Sequence, residues 1–220
     1  MGSAPGYAWT TAVVAAVLAL PLWPFSMHAI TLAHEGGHAL IGMLFGGKFG
    51  KQKVHLHADG GGFTNIEVSW PARIPMLLAG YLSPSAVGYG GAQLLVHDFD
   101  PKSVLVLSLV FAVFVLVLTR NPFGLLVSVA TIALLWVSVT RAEPGAQRAI
   151  AYIWVWFLLM GGARKIPDLY YGMLRQKGES DAEQLQQATL IGDVVWLFVF
   201  WLGAMAALVH AGALMLRHTT

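Results

Sequence analysis

The chain has no cysteine among its 220 residues. Disulfides and thiolate-held metals are therefore excluded, and any metal ion must be bound by His, Asp or Glu. Charge is almost as scarce. Asp, Glu, Lys and Arg make up 11% of the residues, against about 25% in an ordinary soluble domain. The net charge of +2 is small and the basic side chains form no arm, which speaks against a nucleic-acid partner. Residues 1–10 contain neither Lys nor Arg. The first apolar run thus lacks the basic leader of a signal peptide and reads as a retained helix.

What fills the chain instead is apolar: 57% of residues are hydrophobic, gathered in long runs. A run of about 20 such residues spans a bilayer as a helix. Spans are expected at 7–24, 26–46, 73–96, 103–119, 122–140, 148–163 and 188–216, seven in all, or six if the first two form one broken element. Between the second and third, "KFGKQKVHLHADGGGFTNIEVSW" is polar, glycine-punctuated and alternating, which predicts a small β-hairpin within about 48–70. No internal repeat or low-complexity linker divides the chain. The expected fold is an all-α polytopic membrane protein of six to seven transmembrane helices with one small hairpin, a single domain over 1–220.

The basic residues predict orientation. With seven spans, Lys48, Lys51, Lys53, Arg73, Arg120, Arg164, Lys165, Arg175 and Lys177 fall on one side, and Lys102, Arg141, Arg148 and Arg217 on the other. The richer side is expected to be cytoplasmic, with the N-terminus.

One apolar run holds polar chemistry. In "TLAHEGGHALIGMLFGG", residues 31–47, His34 and His38 stand four apart, one helical turn, on one face. Glu35 lies beside the first. This is the H-E-x-x-H pattern, in which two imidazoles hold zinc and the glutamate takes the proton of an acidified water. Random placement gives roughly 0.006 expected matches in a chain of this composition, and ionisable groups inside a membrane are costly and usually functional. Gly36 and Gly37 weaken the helix but admit a close neighbour, either a packed helix or a substrate backbone.

With these residues the sequence resembles the site-2 protease family of intramembrane zinc metalloproteases, in particular a compact bacterial branch without a PDZ domain. "AHEGGHAL" at 33–40 matches the family's metal-binding helix. "GGFT" at 61–64 resembles its glycine-led edge strand. "AGYLSPSAVG" at 79–88, "RNPFG" at 120–124 and "SDAEQLQQAT" at 180–189 resemble further blocks. The resemblance implies one Zn2+, a membrane-anchored protein as substrate, and an integral protein of the bacterial cell membrane. It also implies that Gly61, Gly62, Phe63 and Thr64 pair with substrate as an added strand.

Two histidines leave a catalytic zinc one protein ligand short. Better-known relatives supply an aspartate from an L-D-G motif, which is absent here. The late acids are Asp168, Glu179, Asp181, Glu183 and Asp193. Asp181 opens the 180–189 block, so the resemblance favours it, although Ser180 and Glu183 also read as a capping box with Asp181 in the first helical turn. His34 sits about 12 residues, roughly 18 Å, inside its helix. On depth alone, Asp193 in the last apolar run competes.

His55 and His57 share one strand face and read as solvated. His28 points about 240° away from His34. Asn121 either caps a helix or offers its amide to an oxyanion. The expected function is zinc-dependent intramembrane endopeptidase, with His34, His38 and Asp181 on the metal and Glu35 as general base. The alternative is a zinc-binding membrane scaffold without proteolytic activity, or a metal transporter. A transporter would need polar groups in several spans, and 103–119 and 122–140 offer almost none.

Overall fold

The computed structural model describes residues 6–47, 52–174 and 180–218. Glu179 and four of the basic residues used for orientation, Lys48, Lys51, Arg175 and Lys177, lie outside the described residues. The elements run α1 (Tyr7–Ala19), α2 (Trp23–Leu44), β1 (Lys53–Leu56), β2 (Gly62–Asn65), α3 (Trp70–Val96), α4 (Pro101–Leu118), α5 (Pro122–Thr140), α6 (Pro144–Leu174), α7 (Asp181–Thr189) and α8 (Asp193–His218). The fold is all-α apart from the one expected hairpin.

Among the described residues, not every apolar run forms a helix that meets the length and hydropathy of a membrane span. Four helices, α4, α5, α6 and α8, are long and apolar enough to cross a membrane. A fifth span arises if α1 and α2, bent by 97° at their junction, count as one broken element. Pro21 and Pro24 bracket that bend, where a missing N–H and a fixed φ suit a helix end and a helix start. α3 has the length, but Ser, Gly, Tyr, Gln and two interior prolines, Pro75 and Pro84, dilute its apolarity. The final run also divides. Leu190 adopts a left-handed φ of 62°, so α7 stops there and α8 starts afresh at Asp193.

α6 is the central helix. In its most apolar window 61% of residues are buried, against 33% for α4 and α5 and 22% for α8. α1 lies against α6 through buried Ala8, Ala12, Ala15 and Ala19, a stripe of small side chains that lets helices approach closely where lipid supplies no hydrophobic drive. On α4 and α5 the outward residues are Leu107, Val110, Val117, Leu126, Val129 and Trp136. Such a surface is at home in acyl chains, not in water.

A second apolar cluster sits away from the main core. Met76, Leu77 and Tyr81 of α3, Ile166 of α6, Ala182 and Leu185 of α7, and Leu197, Phe200 and Ala204 of α8 pack together. This cluster docks α7. A nine-residue helix is marginal in isolation, so its place depends on burying Leu185, worth about 1.5–3 kcal/mol, and on its cap. The capping box is formed: Ser180 Oγ accepts from Glu183 N, and Glu183 Oε2 accepts from Ser180 N at 2.6 Å. Arg73 at the start of α3 also donates to Gln184 Oε1 at 3.0 Å.

β1 and β2 pair antiparallel, with Val54 opposite Thr64 and Leu56 opposite Gly62. The outer edge of β1 is taken. Arg120 N donates to Val54 O at 2.9 Å. Asn121 brackets Leu56, its Oδ1 accepting from Leu56 N at 3.1 Å and its Nδ2 donating to Leu56 O at 2.6 Å. Asn121 precedes α5 but makes no capping bond, and its amide is committed to Leu56. The "RNPFG" block thus serves as a dock for β1, in place of both roles expected for Asn121.

Candidate metal centre

α2 carries His34, Glu35 and His38 on its buried face, at 7%, 2% and 5% exposure. Asp181, the first residue of α7, enters the same space. Its Oδ2 lies 3.3 Å from His34 Nε2 and 3.0 Å from His38 Nε2, and the two Nε2 atoms are 3.2 Å apart. The three ligand atoms form the one such cluster of His, Asp and Glu among the described residues. Bonds of about 2.0–2.1 Å in a tetrahedron place ligand atoms about 3.4 Å apart, so the triangle has the size zinc requires.

The surrounding chemistry fits a cation as well. Asp181 Oδ2 is buried and accepts no hydrogen bond among the described residues. Burial by itself would raise this carboxyl. The contact with both imidazole Nε2 atoms, at 3.3 and 3.0 Å, outweighs burial and holds it below the usual carboxylate range, so a carboxylate oxygen faces the two nitrogens. His38 Nδ1 donates to Met76 O at 2.8 Å. That bond fixes the tautomer and turns the Nε2 lone pair toward the cluster. His34 is held differently: its Nδ1 has no partner among the described residues, and its ring sits edge-on to Tyr81 at 4.4 Å. Tyr81 stacks in turn on Phe200 at 5.1 Å.

α3 is the platform under these groups. Pro84 cannot donate an N–H to Gly80 O, and Ser83 Oγ supplies a donor at 3.2 Å instead. The same hydroxyl reaches Ala33 O of α2. Gly80 lies beneath the His38 ring. Both glycines of the motif are packing positions. A Cβ on Gly37 would stand 2.5 Å from Ser83 Oγ and 2.7 Å from Ala79 O, and one on Gly36 would stand 2.5 Å from Phe111 Cζ of α4. Close helix packing accounts for the pair without a substrate backbone.

Glu35 is oriented by the hairpin. Thr64 Oγ1 lies 2.6 Å from Glu35 Oε2 and 3.2 Å from Glu35 O. Glu35 Oε1 is 3.9 Å from His34 Nε2 and would be 2.7 Å from a Cβ on Gly62. One carboxylate oxygen is thus tied to β2, and the other faces the cluster. Val54 and Leu56 spend their backbone groups on residues 120 and 121, and His57 N bonds Gly61 O at 2.8 Å. In an antiparallel ladder this register turns Phe63 and Asn65 toward β1, and Gly62 and Thr64 toward the other edge. That edge has no strand beside it among the described residues.

The remaining candidates lie elsewhere. Asp193 is not deep in a span: it opens α8, accepts from Val194 N at 2.7 Å and shares a surface pocket with Glu183, Gln186, Gln187 and Leu190. Asp168 accepts from Trp23 Nε1 and Arg164 Nη1, each at 2.6 Å, and joins α6 to the start of α2. His28 packs on Phe123 at 5.1 Å. His55 stacks on Phe63 at 4.6 Å, and His57 meets the same ring edge-on. Sequence reasoning missed Tyr81 and Met76 O. Tyr81 lay inside the "AGYLSPSAVG" block, whereas nothing in a sequence marks a backbone carbonyl as a histidine anchor.

No curated protein and no solved structure matches the chain. The family model described as Peptidase M50B-like matches residues 7–211, from the first turn of α1 to well into α8. With its apolar helices and its buried His-His-Asp cluster, the chain belongs to that family of membrane-embedded peptidases.

Proposed function

We propose that the protein is a zinc-dependent endopeptidase that cuts peptide bonds in or near the transmembrane segments of membrane-anchored proteins. The observation that carries this reading is the convergence of His34, His38, Asp181 and Glu35 beside the open edge of β2. His34, His38 and Asp181 hold one zinc ion. Bound there, zinc supplies a Lewis acid that acidifies water and polarises a carbonyl.

The chain's own groups do the rest. Glu35 is the general base: Thr64 holds Oε2, which leaves Oε1 to take a proton from the attacking water and return it to the leaving amine. A helical substrate hides its carbonyls in hydrogen bonds and must unwind before it is cut. Gly62 and Thr64 offer their outward backbone groups to such an unwound segment as an added strand. Gly61 and Phe63 tie that strand to β1. The pairing lays the substrate backbone alongside Glu35, since Gly62 itself abuts the carboxylate.

The Glu35→Gln variant tests the reading. Reconstituted with synthetic single-span peptides, it is expected to keep one zinc per chain and to cut about 10²- to 10⁴-fold more slowly than wild type. Cutting at the wild-type rate would remove Glu35 from the chemistry. A wild type that binds zinc and cuts none of a broad peptide panel would favour the inactive scaffold.

A further inference from the structure

We infer that Lys165 is a positioning residue: it clamps the hairpin tip onto α2 and so fixes which peptide bond of an edge-bound substrate faces Glu35. The second half of this statement rests on the endopeptidase reading above.

Lys165 projects from α6, and no carboxylate lies within 4.0 Å of its ammonium among the described residues. Nearby Asp168 is engaged by Arg164 and Trp23. Nζ donates instead to Gly60 O and to Thr31 Oγ1, the latter at 3.1 Å. Thr31 Oγ1 is itself 2.8 Å from Gly60 O. A half-buried ammonium directed at two neutral oxygens makes charge-assisted bonds, roughly twice as strong as neutral ones. Three elements meet at this point: α6, α2 and the turn before β2.

The local chain is shaped for that meeting. Gly60 adopts a left-handed φ of +84°, and a Cβ there would stand 2.5 Å from Met27 Sδ of α2. The left-handed turn favours glycine, and the missing side chain leaves room for Met27. Thr31 and Glu35 are four residues apart, on successive turns of the same face. Segment 60–64 is therefore pinned twice on α2, at Thr31 by the Lys165 clamp and at Glu35 by Thr64. With the Lys165 pin removed, the tip at 57–61 loosens, while β2 keeps its pairing with β1 and its pin at Thr64.

The tolerance for such movement is small. Successive residues of a paired strand are about 3.3 Å apart, and a productive site holds its groups within about 0.5 Å. A loosened tip that shifts by a fraction of one residue misaligns the bond facing Glu35, and one that shifts by a whole residue presents its neighbour. Lys165 thus governs the position of the cut without touching metal or substrate.

The test uses the full chain in phosphatidylcholine liposomes with single-span synthetic peptides as probes. The absence of native cysteine allows nitroxides to be placed at Ala58→Cys in the turn and Leu40→Cys on α2 without background labelling. Lys165→Met is expected to keep its zinc, to broaden the distance distribution between the labels, to spread a single cut over adjacent bonds, and to lower kcat about ten- to hundredfold. Lys165→Arg is expected to restore the narrow distribution and the single cut, and Thr31→Val to shift both in the direction of Lys165→Met. A narrow distribution and an unaltered cut in Lys165→Met overturn the inference, as does loss of zinc in that variant. If the wild type cuts no peptide, the endopeptidase reading fails, and the label distances alone decide the clamp.

Discussion

Gly80 lies so close to His38 that a Cβ on it would overlap the imidazole and stand 2.9 Å from Asp181 Oδ2. One missing methyl on α3 makes room for two of the three ligand atoms. Gly80→Ala should therefore push His38 off the line set by its bond to Met76 O. The expected result is a zinc affinity about 10- to 100-fold weaker, the range seen when a ligand's support is lost, read by competition with a chelator. Wild-type affinity in this variant would mean that α3 yields at that point.

Leu185 is not itself a member of the His-His-Asp cluster, yet it is fully buried in the apolar cluster that docks α7. Leu185→Ala is expected to cost about 2–5 kcal/mol of local packing. Because α7 is short, that loss should appear as undocking of Asp181. Bound zinc should fall while the helical circular dichroism stays near wild type. Full zinc occupancy would show that the capping box and Arg73 suffice to hold the helix.

Thr64→Val replaces the hydroxyl that holds Glu35 Oε2 with a methyl of similar shape. Zinc content should not change, since Thr64 is not among the ligands. Cleavage should fall about tenfold or more in kcat, because a general base must stay within hydrogen-bond reach of its proton. A kcat equal to wild type would show that Glu35 needs no anchor on β2.

Asn121 separates capping from docking. Serine is as good a helix N-cap as asparagine, but it cannot bracket both the N–H and the C=O of Leu56 as the amide does. Asn121→Ser should keep α5 and weaken β1, seen as faster hydrogen exchange across residues 53–65 and slower cleavage. Unchanged exchange in the hairpin would show that β1 needs no dock at residue 121.

The sequence alone determined the class of molecule, the hairpin and the first half of the metal centre. Scarce charge and long apolar runs require a bilayer. His34, Glu35 and His38 are local, and helical periodicity alone aligns them. The break between the first two runs was legible as a possibility from Pro21 and Pro24, but its 97° angle was not, because an apolar run records composition and is blind to direction. The third member of the cluster was legible only through the resemblance of the 180–189 block, since depth alone favoured Asp193. Asp181 and Asp193 are both acids near the last run, and tertiary packing separates them: burial of Leu185 and Ala182 carries Asp181 to the histidines, while the break at Leu190 leaves Asp193 at the start of α8. The same holds for Met76 O, Tyr81 and Lys165, whose roles depend on neighbours dozens of residues away. Side-chain type and spacing fix chemistry within one helix. Convergence of α2, α3, α6, α7 and the hairpin on one point is a property of the packed whole.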